Sequence, residues 1–130
     1  MVKQQPPAIS ARQMEIMNVI WSRGTATVAD VWEAMSKQRP VARNTVLTQM
    51  TRLEEKGWLG HHEDGPAFRY FARRPRESTL QTLVRDLVDT AFAGSADSLV
   101  MALLHGRGVS PDEAERIRAM IDETEGVASE

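Results

Sequence analysis

Apolar residues recur every three to four positions along the first part of the chain, which predicts amphipathic helices. Ser10 and Gln13 form a capping-box pair at the start of the first helix, and Gly24 ends it. The stripe that we predict for its buried face comprises Met14, Met17, Ile20 and Trp21.

A second helix is predicted to begin after Thr27, where Asp30 stands at the third position of another cap. It ends near Gln38, because the Arg39-Pro40 pair that follows favours extended backbone. Its predicted buried stripe comprises Val31, Trp32 and Met35.

A third helix, over about 43–56, has one narrow apolar stripe formed by Val46, Met50 and Leu53. A lysine and a glycine end it. Threonine and asparagine are poor helix formers, yet three threonines and one asparagine stand outside this stripe. Over 43–52 the positions outside the stripe are Arg43, Asn44, Thr45, Leu47, Thr48, Gln49, Thr51 and Arg52.

The pattern then changes from a helical period to that of a strand. Asp64-Gly65-Pro66 is a strong turn signal, and after it Phe68 and Tyr70 alternate with Arg69. We therefore predict a β-hairpin, followed by a linker that contains Arg73, Arg74 and Arg76.

The rest of the chain has a helical pattern. An apolar stripe that begins near Leu80 is interrupted at Gly94-Ser95. A shorter helix is predicted over about 96–104, and residues 105–108 are predicted to form a loop. Ser110-Pro111 is a strong start signal for a last helix.

Three helices and a hairpin, joined by short connections, are the order of elements in a winged helix-turn-helix. We predict a mainly α fold with a small β-hairpin. It consists of a winged helix-turn-helix DNA-binding domain at 8–74 and a helical dimerisation domain at 75–125. Residues 1–7 and 126–130 are expected to be flexible tails.

The outer face of the third helix is suited to a DNA major groove, because short polar side chains let a helix approach the base edges. Arginines on the hairpin would contact the phosphate backbone. The predicted DNA-binding residues are Arg43, Asn44, Thr45, Leu47, Thr48, Arg52, Arg69 and Arg73. The alternative is a protein–protein interaction module that uses the winged helix without specific DNA binding.

Composition adds an asymmetry of charge to this picture. The net charge of the 130 residues is −2, yet residues 1–79 carry 12 Lys/Arg and 8 Asp/Glu, whereas residues 80–130 carry 4 and 10. A basic part that meets a polyanion explains this difference, and so does chance clustering on solvated faces. With no cysteine, no signal peptide and no apolar run of membrane-spanning length, we expect a cytoplasmic protein.

Catalytic and metal-binding patterns are missing from the sequence. No nucleophile motif, phosphate loop or acid pair is present, so we expect no enzymatic activity and no cofactor. His61 and His62 are neighbours in a predicted strand and point to opposite faces, which makes joint chelation of one ion difficult. We predict a solvated wing there and no metal site.

Several stretches carry a family resemblance. They are TVADVW at 27–32, NTVLTQMTRLEEKGWL at 44–59, and FAGS at 92–95 followed by SLV at 98–100. In these stretches the chain resembles the penicillinase-repressor (BlaI/MecI) family of bacterial transcription regulators, over about 8–123. The resemblance implies a homodimeric repressor whose winged helix binds a dyad-symmetric DNA operator and whose C-terminal helices form the dimer.

The apolar stripe of the second half fits this implied dimer, because one long helix and two short ones bury little of it within one chain. The alternative is that these helices pack back on the winged helix as one monomeric core. The predicted interface residues are Leu80, Leu83, Leu87, Val88, Phe92, Leu99, Leu103, Ile117 and Met120.

The family also implies a release step, in which a membrane sensor and a regulatory protease lead to cleavage in the dimerisation region. Known members are cut between Asn and Phe. With 98–100 as the register, the matching positions here are Ala102 and Leu103, and both differ. The candidate cleavage region is Met101, Ala102 and Leu103, and release by proteolysis stays open. A copper-sensing branch uses a cysteine cluster, which this chain lacks.

Overall fold

Helices dominate the computed structural model, which describes residues 8–129 and the side chains of residues 8–125. The predicted tail at 1–7 lies outside the described residues. In chain order the elements are α1 (Ala11–Arg23), β1 (Thr25–Ala26), α2 (Val28–Ser36), α3 (Arg43–Glu55), β2 (Leu59–Asp64), β3 (Ala67–Ala72), α4 (Arg76–Ala91), α5 (Ala96–Gly106) and α6 (Pro111–Ser129).

Both predicted capping boxes are confirmed. The Ser10 hydroxyl accepts a hydrogen bond from the Gln13 backbone N–H, and the Gln13 side chain accepts one from the Ser10 backbone N–H, each at 3.1 Å. Thr27 and Asp30 form the same reciprocal pair, also at 3.1 Å. Each pair satisfies N–H groups that a helix start leaves unpaired, so α1 and α2 begin where the sequence predicts.

The predicted hairpin is confirmed, and it belongs to a larger sheet. β2 and β3 pair in antiparallel fashion, with Leu59 opposite Ala72. β1 pairs with the other side of β3, with Thr25 opposite Phe71, so the strand order is β1-β3-β2. We did not predict β1, because two residues are too few to display an alternating pattern.

The core of the winged helix contains the whole predicted stripe of α3, but the stripes of the first two helices were wrong in detail. Ile16 is buried where we expected Met14, and Trp21 is only half-buried. Trp32 is 36% exposed, and its indole N–H donates to the Val41 carbonyl oxygen at 2.8 Å. The buried apolar residues are Ile16, Met17, Ile20, Ala26, Val31, Met35, Val46, Met50, Leu53, Trp58, Leu59 and Tyr70.

The chain divides into two compact units, with the boundary after Gln81. The first unit contains the winged helix and the start of α4, and the second contains the rest of α4 with α5 and α6. The domain bounds at 8–74 and 75–125 stay a prediction.

The second unit differs from the sequence prediction at two places. The break between α4 and α5 is confirmed, since Ala93 and Gly94 both have positive φ. His105 and Gly106, however, belong to α5 and not to a loop. The last helix continues through Ser129 and so includes residues 126–129 of the predicted tail, while residue 130 lies outside the described part. That this tail is flexible stays a prediction.

Candidate nucleic-acid interface

The outer face of α3 is exposed over most of its length. Arg43, Asn44, Thr48 and Arg52 are exposed, and Thr45 is half-buried. The opposite face of the helix lies in the core, so packing determines which side chains face outward. The predicted DNA-binding face of the third helix is therefore an exposed surface of mostly short polar groups between two arginines.

Polar contacts from the start of the chain fix one edge of α3. The Gln13 side-chain amide donates to Gln49 Oε1 at 2.9 Å. Lys56 Nζ donates to Gln13 Oε1 and to the Ala8 carbonyl oxygen, each at 3.1 Å. Gln49, which we assigned to the outer positions, is thus engaged within the domain. The sequence indicated that Gln13 caps α1, but it gave no sign that the side-chain amide of Gln13 also contacts α3.

The N-terminus of α3 has no side-chain cap among the described residues. Ala42 is the N-cap residue, and its methyl group accepts no hydrogen bond. The first N–H groups of the helix and its positive dipole end therefore lie beside the exposed Arg43. An anion such as a backbone phosphate is favoured at this end of α3.

Leu47 and Thr51 form a distinct part of the α3 face. Leu47 is 44% exposed, although it is apolar. Thr51, one turn further on, is also exposed, and its hydroxyl donates to the Leu47 carbonyl oxygen at 2.9 Å. The hydroxyl hydrogen of Thr51 is therefore used within the helix.

The two arginines predicted on the hairpin differ in their contacts. Arg69 is half-buried, and its guanidinium donates to Asp64 Oδ2 at 3.1 Å and to the Thr25 hydroxyl at 3.4 Å. Arg73 is exposed and lies over the Phe71 ring at 5.5 Å. Arg73 is thus accessible to a phosphate, whereas Arg69 must exchange its contacts before it can bind one.

Gly60 provides the space that the Arg73 side chain occupies. A Cβ at this position would lie 2.6 Å from Phe71 Cζ and 2.8 Å from Arg73 Nε. No methyl group fits at those distances, so glycine is required for this arrangement of the two side chains.

The wing is less solvated than we predicted around His61. Nδ1 of His61 lies 2.5 Å from Glu54 Oε2, and its ring stacks on Phe68 at 4.2 Å between centroids. The neighbouring His62 is exposed and faces Phe71 instead. Among the described residues no group of three or more His, Cys, Asp or Glu side chains could hold a metal ion.

The linker after β3 is packed against the winged helix. The Trp21 indole N–H donates to the Arg74 carbonyl oxygen at 2.9 Å. The Arg74 guanidinium lies 5.6 Å from the Trp58 ring centre. Arg74 is half-buried, so it is less accessible to DNA than the exposed Arg73 and Arg76.

Two ionisable groups in this unit have shifted pKa values. The hydrogen bond from the Thr27 backbone lowers the pKa of Asp30 below its usual 3.8. Burial raises the pKa of Tyr70 above its usual 10.0, and the negative charge of Glu54 acts in the same direction. The hydrogen bonds between Thr27 and Asp30 stabilise the start of α2. The raised pKa of Tyr70 follows from the burial of its side chain, which is 3% exposed.

The predicted dimer residues are all at least partly exposed. Leu83, Leu87, Leu103 and Met120 are exposed, and the other five are half-buried. The candidate cleavage residues Met101, Ala102 and Leu103 lie within α5, and their side chains are exposed.

The length and hydropathy of the helices bear on whether any of them could cross a membrane. No single helix in the described part is long and apolar enough to cross a membrane. Only α4 and α5 together meet the requirement, and that pair is bent by 94°.

Comparison with known proteins identifies the relatives of the chain. The family model described as Penicillinase repressor matches residues 9–123. The chain is 26% identical over 114 residues to the methicillin resistance regulatory protein MecI of Mammaliicoccus sciuri, covering 88% of this chain and 93% of that protein. It is 34% identical over 112 residues to the transcriptional regulator BlaI of Mycobacterium tuberculosis, covering 85% of this chain and 80% of that protein.

Solved structures agree with this relationship. The DNA-binding domain of the repressor BlaI is similar with a TM-score of 0.52 and 31% identity, covering 57% of this chain and 90% of that one. Monomeric BlaI of Bacillus licheniformis in complex with the blaP half-operator has a TM-score of 0.50 and 32% identity, covering 56% and 89%. MarR of E. coli, at 15% identity and a TM-score of 0.54 over 89% of this chain and 77% of that one, shares the fold. The chain belongs to the penicillinase repressor family.

Proposed function

We propose that the chain is a transcriptional repressor that binds a dyad-symmetric DNA operator as a homodimer. The winged helix of each protomer binds one half-site, with the outer face of α3 in the major groove. Arg43, Asn44, Thr45, Leu47, Thr48 and Arg52 contact the bases or the adjoining phosphates, and Arg69 and Arg73 contact the backbone. The single observation that supports this most strongly is the outer face of α3, which is mostly polar, is flanked by arginines and is kept exposed by the packing of the opposite face in the core.

The relatives support the same assignment. The BlaI structure that is similar to 56% of this chain is solved with a half-operator. The similar curated proteins are repressors or regulators by name. A helix of this size fits the major groove, and short side chains bring its backbone close to the bases. The family is one of repressors and not of enzymes.

DNA binding is tested by titrating the purified chain with operator fragments at several salt concentrations. Binding should weaken steeply as salt rises, with a slope of about −0.9 for each neutralised phosphate. Arg43→Ala should cost about 1–3 kcal/mol on the preferred site and relax its sequence preference. Arg116→Ala, which removes the same charge from α6, is the matched control. A flat salt response would instead favour a protein–protein interaction module.

The proposed dimer rests on the exposed apolar side chains of the second unit. Leu83 and Leu87 of α4, Leu103 of α5 and Met120 of α6 are all exposed, and a second copy would remove them from water. Two linked winged helices then bind two half-sites with the gain in affinity that bivalency gives. The half-sites would lie about 34–36 Å apart, or a multiple of that distance.

The dimer is tested by sedimentation of the chain and of Leu87→Asp. The variant should be monomeric and should bind the full operator far more weakly than the parent. Gln81→Asp introduces the same charge at an exposed polar position of α4 and is the control. A Leu87→Asp protein that remains dimeric would contradict the proposed interface.

Release by proteolysis completes the proposal, with a regulatory protease or a membrane sensor as the partner. Cleavage at Met101–Leu103 would divide α5, and a protomer that lost its partner would also lose bivalent binding. A chain with a specific protease site inserted at these three residues should become monomeric and leave the operator once it is cut. A cut chain that keeps its full affinity would contradict this mode of release.

A further inference from the structure

Leu47 is an apolar residue on the exposed face of α3. It lies among exposed polar residues of α3, is 44% exposed, and is absent from the apolar cluster that α3 forms with the other helices. A single exposed leucine is common on protein surfaces and means little by itself. This one is notable because it stands in the second turn of the helix that the proposed function places in the major groove.

Thr51 extends the apolar character of this position. It lies one turn after Leu47, and the two side chains are neighbours on the helix surface. Because the Thr51 hydroxyl donates to the Leu47 carbonyl oxygen at 2.9 Å, it has no hydrogen left to donate to a base edge. The pair therefore forms a small surface, here termed the Leu47 patch, that offers methyl groups and no hydrogen-bond donor.

The chemistry of the major groove allows one good partner for such a surface. Of the four bases, only thymine presents an apolar group in this groove, its C5-methyl. Guanine presents two acceptors and cytosine an amino group, and these would lose water against Leu47 without gaining a hydrogen bond. The patch thus favours thymine by contact and disfavours guanine, whose two acceptors find no donor there.

We propose that Leu47, supported by Thr51, is a specificity-determining residue that selects a thymine in each half-site through its C5-methyl group. This inference rests on the proposed function and adds one base identity to it. Asn44 and Thr48, which flank Leu47 on the same face, remain free to hydrogen-bond to neighbouring base pairs.

The test uses the full chain and an operator fragment selected from genomic DNA. Each thymine of a half-site is replaced in turn by deoxyuridine, which removes the methyl group and leaves base pairing unchanged. A replacement in one half-site should weaken binding about fourfold, the effect expected for one buried methyl group, and the same replacement in both half-sites should weaken it about fifteenfold. Leu47→Ala should bind the thymine operator about as weakly as the parent binds the uracil operator, and should not respond to the replacement.

Asn44→Ala serves as the comparison variant, because it should bind more weakly overall yet keep the full response to thymine replacement. The inference is overturned if the parent binds every uracil-containing operator as tightly as the thymine operator, while operator binding itself stands. It is also overturned if Leu47→Ala keeps the response to uracil. If no duplex is bound at low salt, the proposed function fails together with the inference. Should Leu47→Ala fold poorly, Leu47→Gln takes its place at this exposed position and should likewise lose the response to uracil, because an amide is no apolar partner for the C5-methyl group.

Discussion

Glu54 in the last turn of α3 is joined to His61 on β2, with 2.5 Å between Oε2 and Nδ1. In this contact the imidazole Nδ1–H donates and the carboxylate accepts, because an ionised carboxylate has no hydrogen to donate. His61 also stacks on Phe68 of β3, so the contact connects the C-terminal end of the reading helix with both strands of the wing. The orientation of the wing relative to α3 is therefore held by side chains as well as by the backbone.

Removing the Glu54 carboxylate should loosen this connection. Both side chains are about one third exposed, so we expect Glu54→Ala to cost about 0.5–1 kcal/mol of unfolding free energy. Glu55→Ala makes the same chemical change at the next, exposed position and is the control. Urea denaturation of both variants measures the difference, and equal costs would show that the contact contributes nothing.

Asp30, which caps the start of α2, should make the unfolding free energy depend on pH in the acid range. The pKa of Asp30 is lowered in the folded state, so its carboxylate adds stability above the ordinary value of 3.8 and loses that contribution as the pH falls through the lower folded value. The stability difference between the parent and Asp30→Asn should therefore be largest near neutral pH and shrink in acid. Denaturation of both proteins across the acid range checks this, with Glu33→Gln as a surface control. A difference that is independent of pH would contradict the assignment.

Tyr70 can be followed alone, because it is the only tyrosine of the chain. It is 3% exposed, and burial raises its pKa above 10.0. The ultraviolet signal of tyrosinate should therefore appear at higher pH in the folded protein than in denaturant. Because the pKa of Tyr70 is higher in the folded state, the contribution of its neutral phenol to the unfolding free energy is fully present below pH 10.0. That contribution is lost as the pH rises further.

Two substitutions separate the two causes of the raised pKa of Tyr70. Tyr70→Phe should lose less stability in alkali than the parent, because it has no phenol to ionise. Glu54→Ala should reduce the shift only in part, since burial is the larger cause. Titration of Tyr70 at its ordinary value in the folded state would show that the sheet face is hydrated.

The two faces of α3 should respond in opposite ways to loss of a leucine side chain. Leu53 is fully buried, so Leu53→Ala should cost about 2–5 kcal/mol of unfolding free energy. Leu47 is exposed, and Leu47→Ala should change stability by less than about 0.5 kcal/mol. Chemical denaturation of the two variants gives both values. Similar losses would mean that Leu47 belongs to the core and not to a reading face.

The parts of the fold that were predictable from sequence are those with local signals. Two helix starts are indicated by capping pairs, which are Ser10 with Gln13 and Thr27 with Asp30. These pairs are visible in the sequence because the two capping groups lie within three residues of each other. The stripe of α3 was predictable because Val46, Met50 and Leu53 recur at helical spacing, and Leu47 is the one other apolar residue of this helix. The same contrast identified the outward face as the candidate DNA-binding surface.

The parts that were missed depend on contacts between distant residues. Trp32 was placed in the buried stripe of α2 with Val31 and Met35, whereas its indole N–H needs a polar partner, which it finds at the Val41 carbonyl oxygen. The pairing of β1 with β3 and the contact of His61 with Glu54 have no local signature. Nor does the sequence show that Arg69 is engaged by Asp64 and Thr25.

The central claim is that the outer face of α3 binds operator DNA in a paired molecule. It is tested most directly by incubating the purified chain with fragmented genomic DNA of its source at low salt and sequencing the fragments that it retains. We expect enrichment of a few sites that share an inverted repeat, and loss of that enrichment in Arg43→Ala and Leu87→Asp. Retention of no fragment above background, or of sites without internal symmetry, would contradict the account.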